Sequence, residues 1–372
     1  MDNELRYKKI LIVAPVPPPI TGQSIASDLV YRTLKENFSV DIINTSKNSF
    51  KAGINSLNRV LSSIILISKI LVSSNRYDYI YYTVSQSKFG ALKDVIIFLL
   101  LWPNLKRLIL HSHGFGLKHE VLDKSFILRY FYKRISTKIK SIIVLGESHK
   151  NLFSDLLPGA RFEIVKNCAD DRLIVDANIL ESKFERVDHR LNLLFLSNLL
   201  PGKGYIELFS AFESLSDELK ANVKLTFAGG FASEGDKSAF LNAIKGRDNV
   251  SYVGVVGLDE KKLLLHQAHV FCLPTYYRFE GQPISILEAY SSGCVVLTTK
   301  HAGIPDIATK KNGFIVSLET KDSLRIALEK IIRNRELLIE IGKHNFALAC
   351  SEYKEDNFKN AIRRVFKSEE QS

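Results

Sequence analysis

Residues 270–307 read VFCLPTYYRFEGQPISILEAYSSGCVVLTTKHAGIPDI. The apolar run 270–273 predicts a short strand, which the following proline stops. The Gly-Gln-Pro triplet at 281–283 predicts the start of a helix, because proline suits a first helical position, where no N–H is needed. Gly293 predicts the end of that helix, where a positive φ is favoured. The stretch therefore indicates a strand, a loop, a helix and a second strand.

Two carboxylates, Glu280 and Glu288, flank the predicted helix start. The first turn of a helix has free N–H groups and the positive end of the helix dipole, so the backbone near Ile284 and Ser285 can bind an anion. Carboxylates beside such a site can accept hydrogen bonds from hydroxyls. Two glutamates at this spacing are more often only solvated charges. The surrounding order of proline, glycine, helix and strand favours a site for a sugar joined to a nucleotide diphosphate.

Length and composition limit the fold class. With 372 residues, 46% hydrophobic and 24% charged, the chain is expected to form two soluble domains. Apolar strand patterns alternate with helical patterns twice, which predicts an α/β protein with two parallel sheets. We expect a first domain over 1–170, a linker over 171–189 and a second domain over 190–350. Residues 351–372 are expected to form a helix that returns to the first domain, followed by a tail.

The charge and the cysteines indicate the environment of the protein. The net charge is +11, which suggests a nucleic acid or an anionic membrane as a partner. No nucleic-acid-binding motif is present, so a membrane surface, or a role of the charge in solubility alone, is favoured over nucleic acid. The four cysteines contain no C-x-x-C pair, which indicates reduced thiols and a cytoplasmic location. The longest uncharged apolar run, 95–105, is too short to span a bilayer, and no export signal is visible.

Other candidate site residues lie in predicted loops or on one basic helix. Thr21 and Gly22 follow the first predicted strand, where a ligand could approach the backbone. Lys203 stands at a predicted helix start, which is unfavourable unless the lysine meets an anion. Residues 124–140 contain six cations and no acid among aromatic and aliphatic residues, among them Arg129, Lys133 and Arg134. This pattern is typical of a helix at a membrane interface, although an ordinary surface helix would also fit.

The motif around the two glutamates resembles a known family. Glu280-Gly281-x-Pro283, Glu288, Gly293 and Gly303-x-Pro305 are similar to the donor-site signature of the retaining GT-B glycosyltransferases of family 4. The resemblance implies two Rossmann-like domains that face a central cleft. It also implies that a sugar passes from a nucleotide diphosphate, more readily UDP than GDP, to a glycan or lipid-linked acceptor in bacterial surface polysaccharide synthesis. No cofactor and no metal are expected.

The resemblance also assigns roles to residues. Glu280, Lys203 and His113 are expected to act in catalysis, with His113 facing the donor sugar from the motif His111-Ser112-His113-Gly114. The donor would contact residues of both predicted domains: Gly22, Asn198, Gly281, Gln282, Pro283, Ile284, Ser285 and Glu288. Asn198 stands where the family has an arginine. The acceptor and the membrane would lie on the side of Thr21, Arg129, Lys133 and Arg134.

Two other functions stay open at this point. A nucleotide-sugar 2-epimerase has the same architecture and would turn over the donor without an acceptor. A protein that binds anionic membranes or nucleic acid without catalysis is the third possibility. Replacement of Glu280 would abolish activity in an enzyme and leave binding unchanged in such a protein.

Overall fold

The computed structural model divides the chain into two compact units. It describes residues 8–46, 64–70, 74–185, 190–320 and 322–367. The first unit comprises the described residues of Met1–Asn167, Arg278–Gln282 and Phe358–Ser372. The second unit comprises those of Cys168–Tyr277 and Pro283–Asn357.

The first unit contains a parallel sheet of six described strands in the order β2-β1-β3-β4-β5-β6. The strands are β1 Lys9–Ala14, β2 Ser39–Asn44, β3 Tyr79–Thr83, β4 Leu108–His111, β5 Ser141–Val144 and β6 Phe162–Ile164. In β1, five of six residues are buried, as expected where helices cover both faces of a parallel sheet.

Helices pack around this sheet. They are α1 Gly22–Lys35, α2 Lys88–Leu100, α3 Phe126–Ser136 and α4 Glu147–Ser154. A 3-10 helix, Trp102–Arg107, and a π-helix, Leu117–Leu122, are also present. The helical spacing of apolar residues over 58–73 predicts a helix there. Residues 64–70 of this range are described and are helical, and the remainder lies outside the described residues.

The second unit has its own parallel sheet, in the order β12-β11-β10-β7-β8-β9. The strands are β7 Leu191–Leu196, β8 Val223–Ala228, β9 Val250–Tyr252, β10 Val270–Leu273, β11 Val295–Thr299 and β12 Gly313–Val316. The helices are α5 Ala177–Glu185, α6 Tyr205–Glu213, α7 Asp217–Lys220, α8 Glu234–Ile244, α9 Leu258–Gln267, α10 Ile284–Ser291, α11 Ser323–Arg333 and α12 Arg335–Glu352. The predicted fold class, α/β with two parallel sheets, is confirmed.

The last helix, α13 Glu355–Lys367, extends from the end of the second unit into the first. Phe366 packs edge-on against Tyr79 of β3, with ring centroids 5.7 Å apart, and also lies 6.3 Å from the ring of Phe38. Arg363 forms an ion pair with Glu36 at the end of α1. These contacts belong to the first unit.

Two elements differ from the sequence-based expectation. The segment 171–189, interpreted as a linker, contains a 3-10 helix, Asp171–Leu173, and α5. Lys183 of α5 is buried, and its Nζ donates hydrogen bonds to the backbone oxygens of Leu265 and Ser292. The Lys183 amine thus binds backbone oxygens at the C-terminal ends of two helices, whereas the sequence pattern suggests a lysine in solvent. The apolar run 94–101 predicts a helix that starts near 94. Helix α2 begins earlier, at Lys88, because the Ser87 hydroxyl accepts a hydrogen bond from the Gly90 N–H.

Among the described residues, no helix combines the length and the apolar character that are needed to cross a bilayer. All four cysteines are free thiols, as predicted.

Candidate functional site in two half-sites

The strand order of the second unit indicates where a ligand binds. When the strands of this sheet are renumbered with β7 as strand 1, their order is 3-2-1-4-5-6. From β7 to β9 the chain adds strands towards one edge of the sheet, and from β10 to β12 towards the other edge. The direction therefore reverses between β7 and β10. In open parallel sheets, ligands bind beyond the carboxyl ends of the strands at this reversal. The loops that leave β7 and β10 contain the predicted residues Asn198 and Lys203 and the start of α10.

Glycines bring these two loops together. Gly204 has φ +85° at the start of α6, and a Cβ there would lie 2.1 Å from the Pro274 carbonyl oxygen. The Tyr276 N–H donates a 2.7 Å hydrogen bond to the Gly202 oxygen. Lys203, between the glycines, places its Nζ 5.0 Å from the centre of the Tyr277 ring. The cation is therefore held beside the loop that leads from β10.

The start of α10 presents backbone donors. Pro283 is the N-cap, with extended backbone, and no side chain caps the helix. The Ile286 N–H bonds back to the Pro283 oxygen at 3.2 Å. Ile284 and Ser285 precede it in the first turn and are half-buried. The helix ends at Ser291, and Gly293 follows the C-cap residue Ser292 with φ +65°, the positive φ that the sequence predicts there.

Glu288 has a partner that the sequence pattern did not indicate. Its side chain is buried in α10, and Oε1 accepts a 2.8 Å hydrogen bond from Nζ of Lys261 in α9. A buried carboxylate is costly unless it is paired. Lys261 therefore holds the Glu288 carboxylate in one position. Lys261 is followed by a second lysine, Lys262, on a helix whose charged residues suggest exposure to solvent. The sequence therefore gives no signal for this role.

Glu280 lies in the first unit, apart from the helix that follows it in sequence. The segment Arg278–Gln282 belongs to that unit. In this segment, the backbone oxygen of Glu280 accepts a 3.1 Å hydrogen bond from the Phe115 N–H. A Cβ on Gly281 would lie 2.0 Å from the His113 carbonyl oxygen, so only glycine permits this backbone contact. The structure thus brings Glu280 and Gly281 to the predicted residue His113.

The Gln282 side chain fastens this segment. Its Oε1 accepts a 2.7 Å hydrogen bond from the Asn167 N–H, and its Nε2 donates to the Leu145 oxygen at 3.2 Å. The Asn167 Nδ2 in turn donates to the Gln282 backbone oxygen at 2.8 Å. Both ends of the Gln282 amide are engaged by the protein, which gives this residue a positioning role.

Three buried histidines lie beside the segment. The rings of His111 and His113 stack with centroids 3.8 Å apart, and the Tyr81 hydroxyl lies 2.6 Å from His111 Nδ1. Burial, together with His149, lowers the pKa of His113 to about 3. Burial also lowers the pKa of His149 to about 3 and that of His111 well below its ordinary value. All three imidazoles are therefore neutral at physiological pH.

Two of these imidazoles have an unsatisfied nitrogen. Among the described residues, Nε2 of His111 and Nε2 of His113 are buried without a hydrogen-bond partner. Buried polar atoms in proteins are nearly always paired. The two nitrogens, at the carboxyl end of β4, are therefore suited to hydrogen bonds with polar groups of a ligand.

The remaining predicted residues lie in the first unit. Thr21 caps α1: its hydroxyl accepts from the Ser24 N–H at 3.0 Å, and the Thr21 N–H donates to the Ser24 hydroxyl at 2.8 Å. Gly22 follows as the exposed first residue of α1. Arg129, Lys133 and Arg134 are exposed on α3.

Comparisons with known proteins agree with this architecture. The family model described as Glycosyl transferases group 1 matches residues 178–348. An uncharacterized glycosyltransferase of Methanocaldococcus jannaschii is 22% identical over 263 residues, which are 65% of this chain and 63% of that protein. The match thus spans less than two thirds of the relative's length.

Solved structures resemble the chain along almost its whole length. Anabaena HepE in complex with UDP-glucose has a TM-score of 0.70 at 16% identity and covers 97% of this chain and 99% of its own. Sucrose-phosphate synthase from Thermosynechococcus elongatus has a TM-score of 0.75 at 13% identity, over 97% and 98%. WaaG, a glycosyltransferase involved in lipopolysaccharide biosynthesis, has a TM-score of 0.70 at 14% identity, over 96% and 100%. The two sheets have the GT-B fold of these solved structures. Residues 178–348, somewhat less than half of the chain, resemble the group 1 glycosyltransferases.

Proposed function

We propose that the protein is a retaining, metal-independent glycosyltransferase that takes a sugar from a nucleotide diphosphate. The observation that carries this proposal is the arrangement at the β7–β10 reversal of the second unit. There, the cation of Lys203 lies in a loop bonded to the loop from β10, which leads to the half-buried first turn of α10. A lysine and a helix start together suit a diphosphate.

The same groups supply the catalytic effect. When the bond between the sugar and the diphosphate breaks, negative charge grows on the leaving phosphate. Lys203 and the amides of Ile284 and Ser285 would stabilise that charge, so neither a bound metal nor a general acid is required. Glu288, fixed by Lys261, would accept hydrogen bonds from the ribose hydroxyls, and Asn198 would give a neutral hydrogen bond to phosphate.

The first unit contains groups that are suited to binding a sugar. Glu280 would hold a sugar hydroxyl, and the unpaired Nε2 of His113 would bind another polar group of the sugar. At its low pKa, His113 is neutral and serves as a hydrogen-bonding group, not as a proton reservoir. No nucleophile is positioned by these observations, which favours transfer on the front face of the sugar.

The comparisons support a proposal for the class of substrates. HepE was solved with UDP-glucose, and WaaG acts in lipopolysaccharide biosynthesis. For this chain we therefore favour a UDP-sugar over a GDP-sugar as donor. The acceptor would be a glycan or a lipid-linked glycan in surface polysaccharide synthesis, at the cytoplasmic face of the plasma membrane. The basic helix α3 would lie towards that membrane.

The test of this function combines donor binding with turnover. We expect one UDP-sugar from a panel of UDP-, GDP- and ADP-sugars to raise the thermal unfolding midpoint. Glu280→Gln should then lower sugar transfer by about 100-fold or more and leave UDP binding close to wild type, because the carboxylate acts on the sugar. Glu336→Gln, an exposed substitution on α12, is the matched control.

Two outcomes would contradict the proposal. Wild-type transfer by Glu280→Gln would remove Glu280 from the mechanism. Conversion of the donor to its 2-epimer without an acceptor would favour the epimerase, which product analysis with donor alone detects.

A further inference from the structure

A buried carboxylate binds the start of the loop that leaves β3. Asp94 of α2 is 0% exposed. Its Oδ1 accepts hydrogen bonds from the Tyr82 hydroxyl at 2.6 Å and from the Ser85 hydroxyl at 3.0 Å, and its Oδ2 accepts from the Ser85 N–H at 2.7 Å. Burial of a carboxylate is costly unless hydrogen bonds compensate for the lost water, and two of these three bonds come from Ser85. Asp94 therefore holds Ser85 in one position at the end of β3.

Gln86 follows Ser85 directly, and its side chain contacts the loop that leaves the neighbouring strand β4. Its Oε1 accepts a 3.3 Å hydrogen bond from the Gly116 N–H. A Cβ on Gly114 would lie 2.5 Å from Oε1 and 2.8 Å from Nε2 of Gln86, and a Cβ on Gly116 would lie 2.9 Å from Oε1. The Gln86 amide therefore occupies the space that side chains at 114 and 116 would need.

The same loop contacts the segment that contains Glu280. The Phe115 N–H donates to the backbone oxygen of Glu280 at 3.1 Å. The Cβ position of Gly114, which is close to the Gln86 amide, is also 2.8 Å from the backbone oxygen of Phe279. All of these residues belong to the first unit. Gln86 and Glu280 thus contact one short stretch of backbone, residues 114–116, at the carboxyl end of β4.

The Nε2 atom of Gln86 has hydrogens to donate. A backbone N–H bonds to oxygen and not to an amide NH₂, so the contact with Gly116 fixes Oε1 towards the loop and leaves both N–H groups of Nε2 for another partner. Among the residues that the structure describes, none accepts a hydrogen bond from this nitrogen. Gln86 is half-buried, so a ligand can reach it. His113, the residue before Gly114, likewise has a nitrogen without a partner in the described part of the chain.

Hydrogen-bond donors close to a carboxylate suit a carbohydrate. A hydroxyl both donates and accepts, so one hydroxyl of a sugar ring can donate to a carboxylate while its neighbour accepts from an amide. We propose that Gln86 binds the transferred sugar, with Nε2 donating to the oxygen of a hydroxyl next to the one that Glu280 holds, and that Asp94 positions Gln86 for this contact. The inference rests on the proposed function, which makes the ligand a sugar, and adds to it a residue that selects among sugars.

Substitutions of Gln86 separate the contact with the sugar from the contact with the loop. Gln86→Glu keeps an oxygen for the Gly116 N–H and removes the N–H groups, whereas Gln86→Met removes both. We expect Gln86→Glu to lower kcat/KM by about 10-fold or more for the UDP-sugar that raises the unfolding midpoint, because a sugar oxygen loses its partner. Gln267→Glu, the same substitution at an exposed position of α9, is the matched control and should stay near wild type.

Deoxy analogues of that UDP-sugar identify the hydroxyl. Each analogue lacks one ring hydroxyl, and wild type and Gln86→Glu are compared on all of them. A direct contact predicts that the ratio of their kcat/KM values falls to about 1 for one analogue and stays at about 10 or more for the others. A ratio that is the same for every analogue would overturn the sugar contact, since Gln86 would then only support the loop.

The role of Asp94 is tested through Gln86. Asp94→Asn has one acceptor oxygen instead of two, so at least one of the hydrogen bonds to Tyr82 and Ser85 is lost. We expect kcat/KM to fall by about 10-fold, and this loss to disappear in the Gln86→Glu background, because Asp94 acts through Gln86. Ser85→Ala repeats the test with less effect on folding, which thermal unfolding checks. Losses that multiply in the double variant would overturn the positioning role.

Measurements without turnover separate this inference from the proposed function. In the free protein, the Gly116 amide should exchange faster in Gln86→Met than in wild type and at the wild-type rate in Gln86→Glu; equal rates in all three would overturn the contact with the loop. Dissociation constants of the deoxy analogues are measured without an acceptor. The predicted pattern in these constants without any transfer would refute the proposed function alone, and transfer with a uniform ratio would refute the Gln86 contact alone. A wild-type protein that binds no UDP-, GDP- or ADP-sugar would refute both.

Discussion

Gly281 is a position where one added methyl group would move the Glu280 carboxylate, which we propose to act in catalysis. Its backbone passes the His113 carbonyl oxygen so closely that a Cβ would lie 2.0 Å from it. That oxygen belongs to backbone, which cannot rotate away as a flexible side chain can. An alanine must therefore lift the whole segment Arg278–Gln282, and with it Glu280.

We expect Gly281→Ala to lower kcat for transfer by about 100-fold, because displacements of about 1 Å at a reacting group have effects of this size. UDP binding should change little. Gly235→Ala is the control: Gly235 lies in α8, and the atom nearest to an added Cβ, the Ser233 hydroxyl oxygen, would be 3.7 Å away. Steady-state kinetics of both variants test the prediction, and unchanged kcat in Gly281→Ala would contradict it.

Individual residues were predictable where backbone geometry requires a residue type. Gly293 and Pro283 follow from the rules for helix ends, and both stand at the ends of α10. Lys183 and Lys261 could not be predicted in the same way. A lysine reads as a solvated charge unless the fold is known, and the partners of Lys183 lie 82 and 109 positions away in sequence.

At the scale of elements, an ion pair links α9 to α10. Lys261 of α9 holds the buried carboxylate of Glu288 in α10, with 2.8 Å between Nζ and Oε1. The lysine is partly exposed and the glutamate is 4% exposed. The orientation of the carboxylate, which we propose to bind a ribose, therefore depends on this cation.

We expect Lys261→Met to raise the KM for the donor by about 10-fold with little change in kcat, since ribose contacts are made equally in the ground and transition states. Lys261→Arg should restore much of the affinity. Lys262→Met, the neighbouring lysine on α9, is the matched control. A fall in kcat at constant KM would mean that the pair acts on the reacting sugar instead.

Element types followed from hydrophobic periodicity, and their exposed faces did not. Helix α2 was predicted as an apolar helix, yet the sequence could not show that Phe89, Leu92 and Ile96 are exposed, because core and surface faces carry the same residues. Helix α5 was not predicted, because its sequence has the polar character of a linker. Its buried apolar residues are only Leu180 and Phe184, and polar residues surround them.

At the scale of the whole molecule, each unit has its own sheet and its own buried histidines. His113 and His149 lie in the first unit, and His269 in the second has a pKa lowered to about 4, chiefly by burial. His269 accepts from the Asn192 N–H at Nδ1, and its Nε2 lies 3.0 Å from the Lys183 oxygen. Neutral histidines thus support both units.

We expect stability to fall as the pH drops below about 6.5, the pKa of histidine in the unfolded chain. Between that pH and the folded pKa values of about 3 and about 4, the unfolded state binds more protons than the folded state. Each histidine then removes up to about 1.4 kcal/mol of stability per pH unit. Thermal unfolding at pH 7, 6 and 5 tests this, and His113→Asn should reduce the pH dependence by one histidine's share. A midpoint independent of pH would contradict it.

The short segment Arg278–Gln282 has a consequence for recombination between related genes. A fragment that encodes 168–357 looks like a single exchangeable cassette, yet it carries five residues whose contacts lie with His113, Phe115 and Leu145 of the first unit. In a hybrid that receives the whole of 168–357 from a relative, residues 278–282 come from the relative, but the residues that they contact come from the original first unit. We expect such hybrids to lose transfer, and hybrids that keep the native residues 278–282 to regain it. Inheritance of these five residues should therefore follow the first unit of the protein, although their codons lie within the second.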